Sequence, residues 1–170
     1  MAVWKEVTPE TLQQANAFEL IGKDWMLITA QKQDALNTMT ASWGGLGVMW
    51  GKNVVYVVIR PQRYTKEFVD ASETFSLTFF EEEFREKLSY LGTVSGRDED
   101  KIKKSALTVV KEETAPYFQE GKLVLFCKKL YTQQINPENF LDKHLEQKWY
   151  PQKDYHTLYI AEIIKALQKQ

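Results

Sequence analysis

Apolar residues along this chain recur mainly with period two or in short β-branched and aromatic runs, the spacing of strands. Six segments carry that signal: residues 25–30, 37–42, 54–59, 74–80, 122–131 and 155–160. The run 54–59 is apolar throughout, as in a strand covered on both faces. In 74–80, by contrast, Phe75, Leu77 and Phe79 alternate with Thr74, Ser76 and Thr78, which predicts a half-exposed strand. Helical patterns are few and sit between strands: 65–71, 82–91 stopped by Gly92, and 98–105 with Asp98 as N-cap. Thr8-Pro9-Glu10 opens a further short helix to about residue 15, part of an N-terminal helical cap over residues 1–18. No repeat and no Pro/Gly/Ser linker divides residues 1–170, so one domain is expected. Its class is mainly β, a closed or partly closed β-barrel with peripheral α-helices. Residues 136–154, which include Pro137, Phe140, Trp149, Tyr150 and Pro151, are long for a plain loop and are expected to cover a site or a subunit interface.

Composition narrows the function. Hydrophobic residues at 44% and charged residues at 26% exclude a disordered chain. Lys+Arg 22 against Asp+Glu 23 leaves a net charge of -1, so neither nucleic acid nor an anionic membrane is an expected partner. With one cysteine (Cys127) and two separated histidines (His144 and His156), no structural metal site is expected. No apolar stretch approaches the roughly 18 residues of a spanning helix, and no secretory leader pattern is present, which makes the cytoplasm the expected location. Gly44, Gly45 and Gly47 do not complete a dinucleotide fingerprint, because Trp50 stands at its third glycine. Asn53 stands where a phosphate-binding P-loop needs Ser or Thr.

Three polar clusters remain. The segment 37–43 sets Thr38, Thr40 and Ser42 on one face of a strand, beside Trp43 and two glycines. It reads either as a wall that meets a flat ligand or as a Thr-rich solvent face with a glycine bulge. Arg60 and Arg63 lie between a strand and a helix, where guanidinium forks suit a phosphate, although such loops are also commonly charged. Ser95-Gly96-Arg97-Asp98 is either an anion-facing nest or a capped turn. His156, at a strand start, is a candidate hydrogen-bond donor or a structural histidine.

Taken in order, residues 37–44, Arg60-Pro61-Gln62-Arg63-Tyr64-Thr65, Phe79-Phe80, Ser95-Gly96-Arg97-Asp98 and 154–160 resemble the landmarks of the flavin reductase-like family of FMN-binding split barrels. The likeness spans roughly residues 20–165. It implies a split β-barrel, a homodimer and non-covalent FMN. It also implies flavin contacts from Asn37, Thr38, Met39, Thr40, Ser42, Trp43, Phe80, Ser95 and Gly96, with Arg60, Arg63, Tyr64 and Thr65 at the phosphate end. His156 matches a histidine near flavin and nicotinamide, with Tyr155 displacing the usual Gly-Asp spacing before it. Ala161 stands where the family often has glycine. The implied activity is NAD(P)H-dependent flavin reduction, with NADH or NADPH as co-substrate. The alternative is a flavoredoxin-like electron carrier serving a redox protein partner. A bound flavin supplies its own redox chemistry, so a chain without a catalytic triad or metal cluster fits.

Overall fold

The computed structural model of the protein describes residues 3–9, 12 and 16–170. Most of the helix read over residues 8–15 lies outside the described residues. The chain runs β1 (Trp4–Val7), α1 (Ala17–Gly22), β2 (Met26–Lys32), β3 (Ala35–Ala41), β4 (Gly44–Met49), β5 (Lys52–Ile59), α2 (Thr65–Ala71), β6 (Thr74–Phe79), α3 (Arg85–Thr93), α4 (Lys101–Ser105), β7 (Val109–Val110), β8 (Tyr117–Phe118), β9 (Leu123–Gln134), α5 (Lys143–Trp149) and β10 (Thr157–Lys169). Strands dominate, as the period-two pattern predicts.

The main sheet follows the order β3-β2-β6-β9-β10-β5-β4, with β1 added against the far end of β10. All its pairs are antiparallel. Its two end strands, β3 and β4, are consecutive in sequence and joined only by Ser42 and Trp43. Three Cα steps reach at most about 11 Å. The sheet therefore has to roll round until its ends nearly meet, yet β3 and β4 do not pair, and the result is a split barrel rather than a closed one. The roll is helped by two register shifts between β10 and β9, at Ile160/Ala161 and Ile163/Lys165.

The barrel interior holds Met26, Ile28, Phe75, Leu77, Leu125 and Tyr159, and Phe68 and Val69 of α2 pack against it. A second cluster, with Leu27, Phe80, Leu88, Leu91 and Phe118, lies where α3 and the β7–β8 pair cover the sheet. Two expectations are reversed. β6 is buried on both faces, because Ser76 donates to Pro116 O and Thr74 to Thr114 O, so a covering loop satisfies hydroxyls that would otherwise face water. β5, apolar from Val54 to Ile59, leaves Tyr56 and Val58 only half-buried, because it lies one strand in from the β4 edge. Gly92 does not stop α3 either. A Cβ there would lie 3.2 Å from Thr40 Cβ, so the glycine permits helix and strand to approach closely. The cap of α4 is Asp100, whose carboxylate accepts from Lys103 N–H, and not Asp98. Among the described residues no helix is long and apolar enough to cross a membrane.

Candidate functional site

Ile59 pairs with Thr157, so the residues just beyond, Arg60 and His156, emerge side by side at one end of the barrel. The gap between β3 and β4 opens at the same end, because the link 42–43 crosses it. Met39, Thr40, Ala41, Ser42, Trp43, Val58, Arg60, Arg63, Trp149 and His156 enclose a cleft of about 270 Å³. Being the last strand of the sheet, β3 leaves one row of its backbone N–H and C=O groups without a ladder partner.

Aromatic rings form one wall. Trp43 meets Trp149 edge-on with ring centroids 4.9 Å apart and lies 5.1 Å from the His156 ring. Trp149 comes from α5, inside the excursion 136–154 expected to cover a site. That helix is started by Asp142, whose carboxylate accepts from His144 N–H. It is tied back by Tyr155, which donates to Glu146 at 2.6 Å. The hydrogen bond to Glu146 pushes the Tyr155 phenol up to about 12.

His156 is buried, and its Nδ1 lies 2.8 Å from the Tyr150 hydroxyl. Which of the two donates follows the imidazole tautomer. Burial first, then the Arg60 charge, lowers the His156 pKa to about 4. Near neutral pH the imidazole is held uncharged and is not a proton shuttle.

The two arginines play different parts. Arg60 binds Asp154 and donates to Trp149 O at 2.8 Å, with its guanidinium 5.2 Å from the Tyr150 ring centroid. Hydrogen bonds from Gln62 and Arg60 hold the Asp154 carboxyl below its usual range. Arg60 is thus engaged beside the imidazole. Arg63 donates through Nη1 to Gly92 O at 3.1 Å, while its Nη2 is buried without a partner. Burial lowers its pKa from the ordinary value, but a guanidinium stays charged. An orphaned charged donor in the cleft lining calls for an anion.

The cleft therefore gathers Met39, Thr40, Ser42, Trp43, Arg60, Arg63 and His156 of the sequence-derived set. The others lie outside this lining. Thr38 is fully buried and bonded to Thr29 and Ile28 O, so the outward hydroxyl row expected of 38, 40 and 42 is broken. Thr40 lines the cleft, yet its hydroxyl is given to Leu88 O. Asn37 is buried and donates to Thr65 Oγ1, while Gly96 leaves room for the Asn37 side chain, which a Cβ would meet at 2.5 Å. Tyr64 packs on Phe68 and under Arg97. Ser95 accepts from Arg97 N–H, and Phe80 lies in the cluster under α3. Sequence reasoning missed Ala41, Val58 and Trp149. Only Trp149 had a signal, the aromatic content of its long connection. Cys127 is fully buried, its thiol pKa raised by burial. A separate hollow of about 200 Å³ among Gln133, Ile135, Phe140 and Leu158 holds no charged group.

The chain matches the family described as "Flavin reductase like domain" over residues 19–170. Among curated proteins nothing matches in sequence. Among solved structures, an FMN-binding domain of a flavin reductase-like enzyme from Shewanella baltica superposes with a TM-score of 0.72 at 19% identity, covering 98% of this chain and 78% of its own. Flavoredoxin from Methanosarcina acetivorans gives 0.66 at 25% identity, covering 84% and 67%. An NADH:FAD oxidoreductase from Streptomyces globisporus, solved with NAD and FAD fragments, gives 0.63 at 16% identity, covering 85% and 74%. The family match takes in every strand of the rolled sheet from β2 onward, and the split barrel is shared with these structures: the chain belongs to the flavin reductase-like family.

Proposed function

We propose that the cleft binds FMN non-covalently and that the protein is an NAD(P)H-dependent flavin reductase acting as a homodimer. The observation that carries this reading is Arg63: a half-buried guanidinium whose Nη2 is buried and unpartnered, in a cleft walled by two indoles and an imidazole. Such a cleft offers an apolar slot for a flat ring and a fork for a phosphate, the two ends of FMN. When bound, FMN supplies the hydride and electron chemistry. Arg63 would hold the phosphate. Trp43 and the open edge of β3 would hold the ring face and its polar rim.

The remaining residues position and shield. Trp149 covers one side of the slot and excludes water, while Arg60 and Asp154 neutralise one another beside it. His156, kept neutral and with the Tyr150 hydroxyl donating to Nδ1, would offer Nε2–H to a carbonyl or hydroxyl of an incoming nicotinamide and leave the charge balance of the slot unchanged. Apolar side chains exposed in the single chain, among them Val48, Trp50 and Tyr131, support association of two copies.

Flavoredoxin-like electron transfer to a protein partner is the second reading, favoured by the position of Trp149, 41% exposed at the mouth of the cleft, where a partner's redox group can approach. Mixing protein and FMN with NADH or NADPH without air separates the two. Loss of the flavin's visible absorbance with either nucleotide is expected. No bleaching with both, together with ready bleaching by a chemical reductant, would replace the reductase with the carrier.

A further inference from the structure

Charges at the mouth of the cleft divide into engaged carboxylates and unengaged lysines. The excursion 136–154 carries four carboxylates and three lysines. Asp142 caps α5, Glu146 accepts from Tyr155 and pairs with Lys143, and Asp154 holds Arg60 and Gln62. Glu138, the fourth, lies in the turn Pro137–Asn139 beside the separate hollow and does not line the cleft.

Lys148 and Lys153 are placed differently. Both are exposed, and among the described residues neither ammonium has an ion pair or a hydrogen bond. Elsewhere Lys52, Lys66, Lys122 and Lys165 are all ion-paired. Lys148 Nζ lies 5.1 Å from the ring centroid of Trp149, the indole over the cleft. That contact is weak at an exposed site beside a charge-assisted hydrogen bond to phosphate, so Lys148 can leave the indole for an anion. Lys153 ends the turn that closes on Tyr150 O, in left-handed backbone with φ +57, directly before the Asp154 that holds Arg60. Both lysines thus belong to the stretch that borders the cleft.

A cleft of about 270 Å³ falls below the roughly 300 Å³ at which sites for drug-sized ligands begin, so the adenosine half of a dinucleotide stays outside it, against this cover. NADH and NADPH differ only there: one presents a ribose 2′-hydroxyl, the other a 2′-phosphate. An uncommitted carboxylate recognises the hydroxyl and cations recognise the phosphate. The cover offers the cations.

We propose that Lys148 and Lys153 are specificity-determining residues that receive the 2′-phosphate of NADPH at the mouth of the cleft, making NADPH the preferred hydride donor. This rests on the reading of the protein as an NAD(P)H-dependent flavin reductase. With a net charge of -1 the chain as a whole does not attract a phosphate, so the preference belongs to these two groups.

The test is steady-state reduction by FMN-loaded protein with each nucleotide, together with equilibrium binding of adenosine 2′-monophosphate and adenosine 5′-monophosphate to the same protein. kcat/KM should favour NADPH by about 10- to 100-fold, mainly through KM, and less as ionic strength rises. Lys148→Met and Lys153→Met should each remove about 3- to 10-fold of that preference, and the double variant should bring the two nucleotides close to parity. Wild type should bind adenosine 2′-monophosphate more tightly than the 5′ isomer. Equal use of both nucleotides, a preference for NADH, equal binding of the two adenosine phosphates, or an NADPH preference that survives the double substitution would overturn the proposal and leave the reductase reading standing. Reduction by neither nucleotide would overturn both. The adenosine phosphates need only the wild type, so a variant that fails to fold does not remove the test.

Discussion

At the scale of single residues, burial decides what each side chain can do. His156 has an ordinary histidine pKa when unfolded and one lowered from 6.5 to about 4 when folded, so between these values the unfolded chain binds more protons. Its contribution to stability is therefore complete above about pH 6.5 and is lost as pH falls towards 4, by up to about 3 kcal/mol. The urea midpoint of wild type, compared with that of His156→Gln at about pH 7 and about pH 4.5, should show wild type losing its advantage at the acid value. A constant difference would mean that the imidazole is not held neutral. In the proposed reductase, His156→Ala should lower the anaerobic single-turnover rate roughly 5- to 150-fold, the effect of one lost orienting hydrogen bond, while FMN content stays nearly intact. The wild-type rate should show no step near pH 6.5. The residue types of this site were legible in the sequence: an indole after a small-residue strand, two arginines after an apolar run, a histidine opening a strand. Their division of labour was not. That Arg60 is spent on Asp154 while Arg63 keeps a free Nη2 depends on groups 94 and 29 residues away, which no local spacing encodes.

At the scale of elements, local pattern succeeded where side chains alternate or cap, and failed where tertiary pairing overrides composition. Residues 161–169 are rich in Ala, Glu, Lys, Leu and Gln, helix formers by propensity, yet they extend β10 because β9 and β1 flank them on both edges. β4 went unread because glycines obscure its alternation, and those glycines have a packing reason. Gly44 has φ +149, and a Cβ there would lie 2.2 Å from Tyr56 O of the paired strand. Gly44→Ala must therefore push β4 off β5 beside Trp43. It should cost about 1–3 kcal/mol, a fall in Tm of about 3–10 °C by thermal denaturation. An unchanged Tm would show that the edge accommodates the methyl and that β4 does not fix the position of Trp43.

At the scale of the whole molecule, the decisive feature is topological. A two-residue link between the end strands of a long antiparallel sheet compels the roll, and the unpaired gap it leaves is the cleft. Most of the strands in that sheet, β4 excepted, were visible as period-two or short apolar runs, so a barrel could be read from the sequence. Periodicity left open whether that barrel closes, because the pairing order of strands is not written in any one of them; that it stays split was implied by the family resemblance of the polar segments, and the structure bears it out. The exposed face of β6 was misjudged for a similar reason: the loop carbonyls that satisfy its hydroxyls arrive about 40 residues later, from a segment with no pattern of its own.

Titration of the purified protein with FMN and riboflavin, alongside Arg63→Ala, tests the assignment of the cleft most directly. Wild-type protein should take up one FMN per chain at micromolar concentration or below, and the flavin released by heat should chromatograph as FMN. Arg63→Ala should weaken FMN about 10- to 150-fold, the loss of one charge-assisted contact, with riboflavin changed far less. A protein that takes up no FMN, or an Arg63→Ala variant that binds FMN and riboflavin as wild type does, would contradict it.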